Sequence, residues 1–279
     1  MSEANRPLAG RTAVVTGGVS GIGRGVALAL ARAGAAVGVG SLPSRSGRLD
    51  QLSNYYPDDV EFSAVAADLR SYGAYGLAAP LDLSDDASVD RFIAEVGGAL
   101  GAVDILVCAA GADCLQYVAE HDDALWHKVI DTNLNGTYRA VKRLFPGMVE
   151  RGWGRIVIVA STAASVGGPG KAAYCASKAG LLGLMRCVAM EGAAHGVTCN
   201  AISPGTVDTR LSQASMAQRV AREGGRVTME AVRASFLAGV PQRRFIEPDE
   251  LGALAAFLCR EEARGITMED LRLSAGALW

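Results

Sequence analysis

The chain has 279 residues, half of them apolar, enough for a large buried core in one or two domains. Lys and Arg total 27 against 29 Asp and Glu, with no block of like charge, so neither nucleic acid nor a membrane surface is implied as a partner, and a small molecule fits better. No stretch approaches the roughly 18 to 20 apolar residues of a membrane span, MSEANRPLAGR lacks the form of a signal peptide, and the six cysteines have no metal-ligand spacing, so a reduced, metal-free, cytoplasmic protein is expected.

Along the chain, short β-branched runs alternate with longer Ala/Leu-rich segments. The first run, TAVVT at 12–16, hands over to a predicted helix at 21–33 through the glycine-rich VVTGGVSGIGRG. Glycine there permits a tight turn and lets backbone N–H groups approach a diphosphate lying on the positive end of the helix. Further runs at 35–40, 104–110, 155–161 and 197–203 read as strands buried on both faces, with helices predicted at 84–98, 121–150, 173–194 and 247–260. This order predicts an α/β fold: a single doubly wound parallel sheet of Rossmann type, helices on both faces, spanning 1–279 as one domain.

Two stretches are longer than such connections need. In 42–75, Phe62, Val65, Ala66 and Leu69 follow helical spacing after Asp58 and Asp59, so an extra helical insertion is expected. The polar segment 205–245 carries seven arginines and reads as a helical flap over a substrate.

Tyr174 and Lys178, in YCASK, share one helix face at i and i+4. A phenol of pKa near 10 is a poor base at neutral pH, so Lys178 is expected to supply the positive charge that makes Tyr174 acidic.

T-G-x-x-x-G-x-G at 16–23, together with Y-x-x-x-K at 174–178, resembles the short-chain dehydrogenase/reductase family, and the resemblance extends over nearly the whole chain. It implies an NAD(P)-dependent oxidoreductase that interconverts a secondary alcohol and a ketone by hydride transfer, with Tyr174 as general acid/base and the bound oxidised nicotinamide ring adding to the Lys178 charge that favours its phenolate. IDTNLNGT matches the segment carrying the family's asparagine, Asn133, which would order a water joining Lys178 to solvent. GRIVIVAS supplies Ser161, thirteen residues before Tyr174, to hold the substrate oxygen. The implied catalytic set is Asn133, Ser161, Tyr174 and Lys178, with no metal.

For the cofactor, the resemblance implies Gly17, Ser20, Gly21, Ile22 and Gly23 at the diphosphate, Asp82 of PLDLSD at the adenine, and Ala110 and Gly111 beside it. Pro204, Gly205, Val207 and Thr209 of NAISPGTVDT would meet the nicotinamide and diphosphate, together with Tyr174 and Lys178. The second strand ends on Ser41 rather than on an acid that would repel a 2′-phosphate, and Ser41 and Arg45 could receive one, so NAD(P) is expected, leaning to NADP.

The sequence also departs from the family. LVCAAG puts Cys108 and Ala109 where two asparagines are usual, and Ser274, Ala275 and Gly276 replace Asp-Gly-Gly. Partial similarity to 3-hydroxybutyrate dehydrogenase-like members assigns Lys171 as a carboxylate-binding lysine, yet Asp113 and Ala163 stand where those members carry glutamine and histidine. An aspartate repels a carboxylate, so a neutral or partly polar alcohol or ketone is expected, against an apolar side formed by Ala163 and Cys114. Two alternatives stay open: an NADPH-dependent 3-oxoacyl-thioester reductase whose basic flap meets an acidic carrier, and a nucleotide-sensing scaffold without catalysis. Long apolar segments at 121–150 and 173–194 imply a homotetramer.

Overall fold

The computed structural model describes residues 6–44, 55–73, 75–224 and 226–277. Within them lie β1 (Thr12–Thr16), β2 (Ala36–Ser41), β3 (Gly76–Pro80), β4 (Ile105–Cys108), β5 (Gly154–Val159), β6 (Val197–Pro204) and β7 (Asp270–Leu273). They form one sheet in the order β3-β2-β1-β4-β5-β6-β7, every neighbouring pair parallel. The period of two along β1 sends Ala13 and Val15 to one face and Val14 to the other, each into its own buried cluster. The first cluster is closed by α1 (Gly21–Arg32), α2 (Asp59–Ser71) and α9 (Pro248–Leu258) through residues such as Leu30, Leu69 and Leu251. The second is closed by α3 (Asp86–Leu100), α5 (Gly136–Glu150) and α6 (Ala172–Gly192) through Phe92, Met148 and Met185. Covering both faces is what permits near-continuous apolar strands, and each such side chain contributes about 1.5–3 kcal/mol on burial.

Three elements differ from expectation. The helix expected as an addition in 42–75 is α2, the crossover from β2 to β3, started by a capping box between Asp58 and Glu61. It looked additional because β3 itself, GLAAP, is short, lacks β-branched residues and ends in proline, features tolerated at the edge of a sheet. The long helix at 121–150 is divided: α4 (Asp123–Ile130), capped by Asp122, then a π-turn at Asp131–Asn135, then α5. The wider π-turn seats the fully buried Asn133, and no feature of hydrophobic spacing marks it.

The flap is α7 (Arg210–Arg222) and α8 (Met229–Ala238), which pack on each other through Met216, Val232 and Phe245. Strand order reverses at β1, flanked by β2 and β4, so a crevice opens beyond the carboxyl ends of the strands.

Candidate active site

That crevice is a cavity of about 380 Å³. One end is the turn from β1 into α1. Gly17 has φ +67, and a β-carbon there would stand 2.7 Å from the Ala110 α-carbon; at Gly23 it would stand 2.2 Å from the Gly17 carbonyl oxygen. Only hydrogen at both positions lets loop and helix close up. Ser20, at the helix N-cap, forms no side-chain cap, so its hydroxyl satisfies none of the first-turn amides of α1. Ser20, Gly21, Ile22 and Gly23 all line the cavity, and the positive end of a twelve-residue helix together with open amides suits a diphosphate. Among the described residues, no group of His, Cys, Asp and Glu is placed to hold a metal ion.

The cofactor-side residues named from sequence are brought together: Ser41, Asp82, Ala110, Gly111, Pro204, Gly205, Val207 and Thr209 all line the same cavity, as do Tyr174 and Lys178. Some already have structural work. Asp82 accepts from the backbone N–H of Ser84 at 2.9 Å and from its hydroxyl at 2.6 Å, fixing the loop after β3. Thr209 caps α7. Ser41 Oγ accepts from Val19 N–H at 3.2 Å, tying β2 to the glycine loop, and the Arg24 guanidinium is paired with Asp68. Arg45 lies outside the described residues. Where two asparagines are usual, Thr16 braces the strand end instead: its carbonyl accepts from Ala109 N–H at 3.2 Å and its hydroxyl from Ala110 N–H at 3.4 Å.

At the other end, Ser161 follows β5, and Tyr174 and Lys178 stand one turn apart on α6. All three line the cavity. The Lys178 ammonium donates to the Val159 carbonyl at 2.8 Å and lies 5.7 Å from the centre of the Tyr174 ring. Burial pushes Lys178 down to about 8, opposed by Cys108 and Asp113. In the protein by itself the Lys178 charge is outweighed at the phenol. Although Tyr174 keeps some surface open to the cavity, the protein around it removes water, which pushes the phenol above its ordinary value; Asp113 adds to that, and the hydrogen bond with Ser161 opposes it. In this state the phenol keeps its proton at neutral pH.

Asn133 belongs to the site without lining the cavity. Its amide accepts from Ala112 N–H at 2.7 Å and donates to the Ala112 carbonyl and to the Ser177 hydroxyl, each at 2.9 Å. It therefore clamps the loop between Gly111 and Asp113 to α6, rather than only holding a water.

Of the pocket residues, Asp113 and Lys171 line the cavity and are ion-paired to each other. Cys114 and Ala163 are not in the lining. Cys114 packs with Leu125, Val129 and Ala173, where burial pushes its thiol up to about 11, and the Ala163 amide donates to Ser161 Oγ at 3.1 Å. The resemblance to 3-hydroxybutyrate dehydrogenase-like members placed Ala163 in the pocket, and its neighbour Asp113 placed Cys114 there; after β5 the lining ends at Thr162, and Cys114 packs toward α4 and α6 instead. Sequence reasoning missed Ser215, on α7, whose hydroxyl accepts from Lys171 at 2.9 Å and donates to Asp113 at 3.3 Å. It missed Tyr55 as well: with Glu61 of α2, Tyr55 contacts Arg210 of α7, drawing the flap over the cavity. Both contacts join residues far apart in sequence, and no local signal marks them.

This fold and site are those of a known family, and the chain belongs to it: the family model described as short chain dehydrogenase matches residues 11–220. An acetoacetyl-CoA reductase of Allochromatium vinosum is 33% identical over 267 residues, covering 95% of this chain and 98% of that protein. A D-beta-hydroxybutyrate dehydrogenase of Cupriavidus necator is 36% identical over 272 residues, covering 98% and 96%. Among solved structures, an actinorhodin polyketide ketoreductase variant with NADPH superposes with a TM-score of 0.85 at 30% identity, covering 99% of this chain and 98% of that one. The protein is thus an oxidoreductase of the short-chain dehydrogenase family.

Proposed function

We propose that the protein interconverts a secondary alcohol and a ketone with NAD(P), Tyr174 exchanging the proton. The observation that carries this reading is the meeting of Ser161, Tyr174 and Lys178 with the glycine loop in one cavity. Bound along the loop and the β6 end, a nicotinamide dinucleotide supplies or accepts the hydride. In reduction, the Ser161 hydroxyl holds the carbonyl oxygen and Tyr174 gives that oxygen its phenolic proton as negative charge develops there. Lys178, which burial holds down at about 8, returns a proton to the phenolate. Asn133 keeps the loop wall and α6 in register. Tyr174→Phe removes the proton and leaves the ring: turnover of a ketone panel should fall by about 10²–10⁴-fold, and unchanged turnover rejects the assignment.

The preferred cofactor is NADP in this reading, because β2 ends on Ser41 and not on an acid. Arg24, whose guanidinium is paired with Asp68, is the less suited cation for the 2′-phosphate. Fluorescence titration decides: NADH binding about tenfold tighter than NADPH, a difference of about 1.4 kcal/mol, rejects the preference.

A 3-oxoacyl-thioester substrate is the second reading, supported by the 33% identity to an acetoacetyl-CoA reductase. The carrier-docking part of it is weakened, since Arg222, Arg226 and Arg233 of the flap region pair with Glu120, Glu223 and Asp208 of this same chain. A homotetramer is part of the proposal, with Tyr138 on α5 and Met190 on α6 exposed as apolar contact surface. Among the described residues no helix is long and apolar enough to cross a membrane. All six thiols are free, which suits a cytoplasmic location.

A further inference from the structure

The substrate end of the cavity holds an ion pair of unusual placement. Asp113 is only 6% exposed, and Lys171 is its partner. One carboxylate oxygen takes Lys171 and Ser215; the other is buried with no hydrogen-bond partner. Both residues are fixed from behind. Asn133 holds Ala112 by its N–H and its carbonyl, and Lys171 lies in a bridge to Gln116, whose N–H donates to the Gly170 carbonyl at 3.0 Å. A buried acceptor left without a donor costs about 1–3 kcal/mol, and a buried ion pair gives little stability in return. The arrangement also places negative charge near Tyr174. The pair therefore gives folding little in return for its cost, which points to a use in binding.

We propose that Asp113, whose side chain lines the cavity, is a substrate-binding residue that selects alcohols and ketones bearing a second hydroxyl beside the reacting carbon, its carboxylate accepting that hydroxyl's hydrogen bond. Lys171, neutralised by Asp113, does not serve as an anchor for a carboxylate; the pair turns a hydroxy-acid pocket into a diol pocket. The proposal rests on the alcohol/ketone reading, with a binding measurement that stands apart from turnover.

Kinetics are measured on matched triplets: acetone, hydroxyacetone and acetoacetate, and their phenyl counterparts acetophenone, hydroxyacetophenone and benzoylacetate. The wild type should prefer the hydroxyketone to the parent ketone by about a hundredfold in kcat/KM, with the keto acid poorest, because a site built to bond a hydroxyl rejects the analogue without one. Asp113→Asn should erase most of that preference and raise the keto acid at least about tenfold by freeing the Lys171 charge. The double variant Asp113→Asn, Lys171→Met should lose the hydroxyl preference without gaining the keto acid. Retention of the preference in Asp113→Asn, or a wild type that favours the keto acid, overturns the proposal. Calorimetry of phenylethanediol against phenylethanol supplies the second readout. Tighter diol binding that depends on Asp113, without turnover of any panel member, upholds this proposal and sinks the alcohol/ketone reading; equal binding of the two by the wild type overturns this proposal whatever the turnover.

Discussion

At the glycine loop the cavity wall is main chain, held by close approach of Gly17 to Ala110 and of Gly23 to the Gly17 carbonyl, whereas at the Asp113 end it is side chain, contributed by the loop after β4, the start of α6 and the flap. In the proposed reading the first end recognises a shape and a charge that every dinucleotide shares, for which small residues and open amides suffice. The second must distinguish one small molecule from another, so it uses groups whose partners are incomplete until something binds. A backbone site fails when an atom is added; a side-chain site fails when charge or a proton is moved.

Adding an atom should therefore have the larger effect. Gly23→Ala puts a methyl into the Gly17 carbonyl, and the loop must give way; NAD(P)H binding by fluorescence should weaken on the order of a hundredfold or more, about 3 kcal/mol. Affinity within about twofold of wild type would mean that the loop is not backbone-limited.

Moving a proton sharpens the other half of the comparison. Burial holds the Tyr174 phenol protonated and holds Lys178 down at about 8. Alcohol oxidation needs the phenolate, so its kcat/KM should rise by up to about tenfold per pH unit through the region around 8, while ketone reduction, which uses the protonated phenol and the Lys178 proton that restores it, should decline as pH rises through about 8. An oxidation profile flat across that region would show that neither group controls the step.

The smallest effect lies outside the chemistry. Ala275 has φ +53, a left-handed conformation that glycine adopts freely, in the turn next to Ser274, which packs on Gly205. Ala275→Gly should stabilise the protein by about 0.5–1 kcal/mol, a rise of about 1–4 °C in Tm by calorimetry. A lower Tm would mean that the methyl's packing outweighs the strain.

The difference between the two ends also explains what could be read in advance. Strand runs, crossover helices and the glycine loop announce themselves through period, β-branching and spacing, because backbone geometry and local burial dictate them. β3 escaped because an edge strand needs little apolar character, and the division of α4 from α5 because a π-turn leaves no mark in the pattern. Tyr174, Ser161 and Lys178 were legible as a constellation, but the burial and the Asp113 charge that push the phenol up were not. Cys114 and Ala163 were placed in the pocket by likeness to relatives and lie outside its lining, while Ser215 carried no signal at all.

By itself the sequence determined the alternation of strands and helices, the phosphate-sized turn after β1 and the phenol and amine one helical turn apart, since each depends on residues within a few positions of one another. The tertiary structure alone decided that Asp113 meets Lys171 and Ser215, that Asn133 clamps the loop between them and the cofactor side, and which way the Tyr174 proton is biased. Solvent exclusion and through-space charge depend on what the whole fold packs around a group, and no stretch of neighbouring residues contains that information.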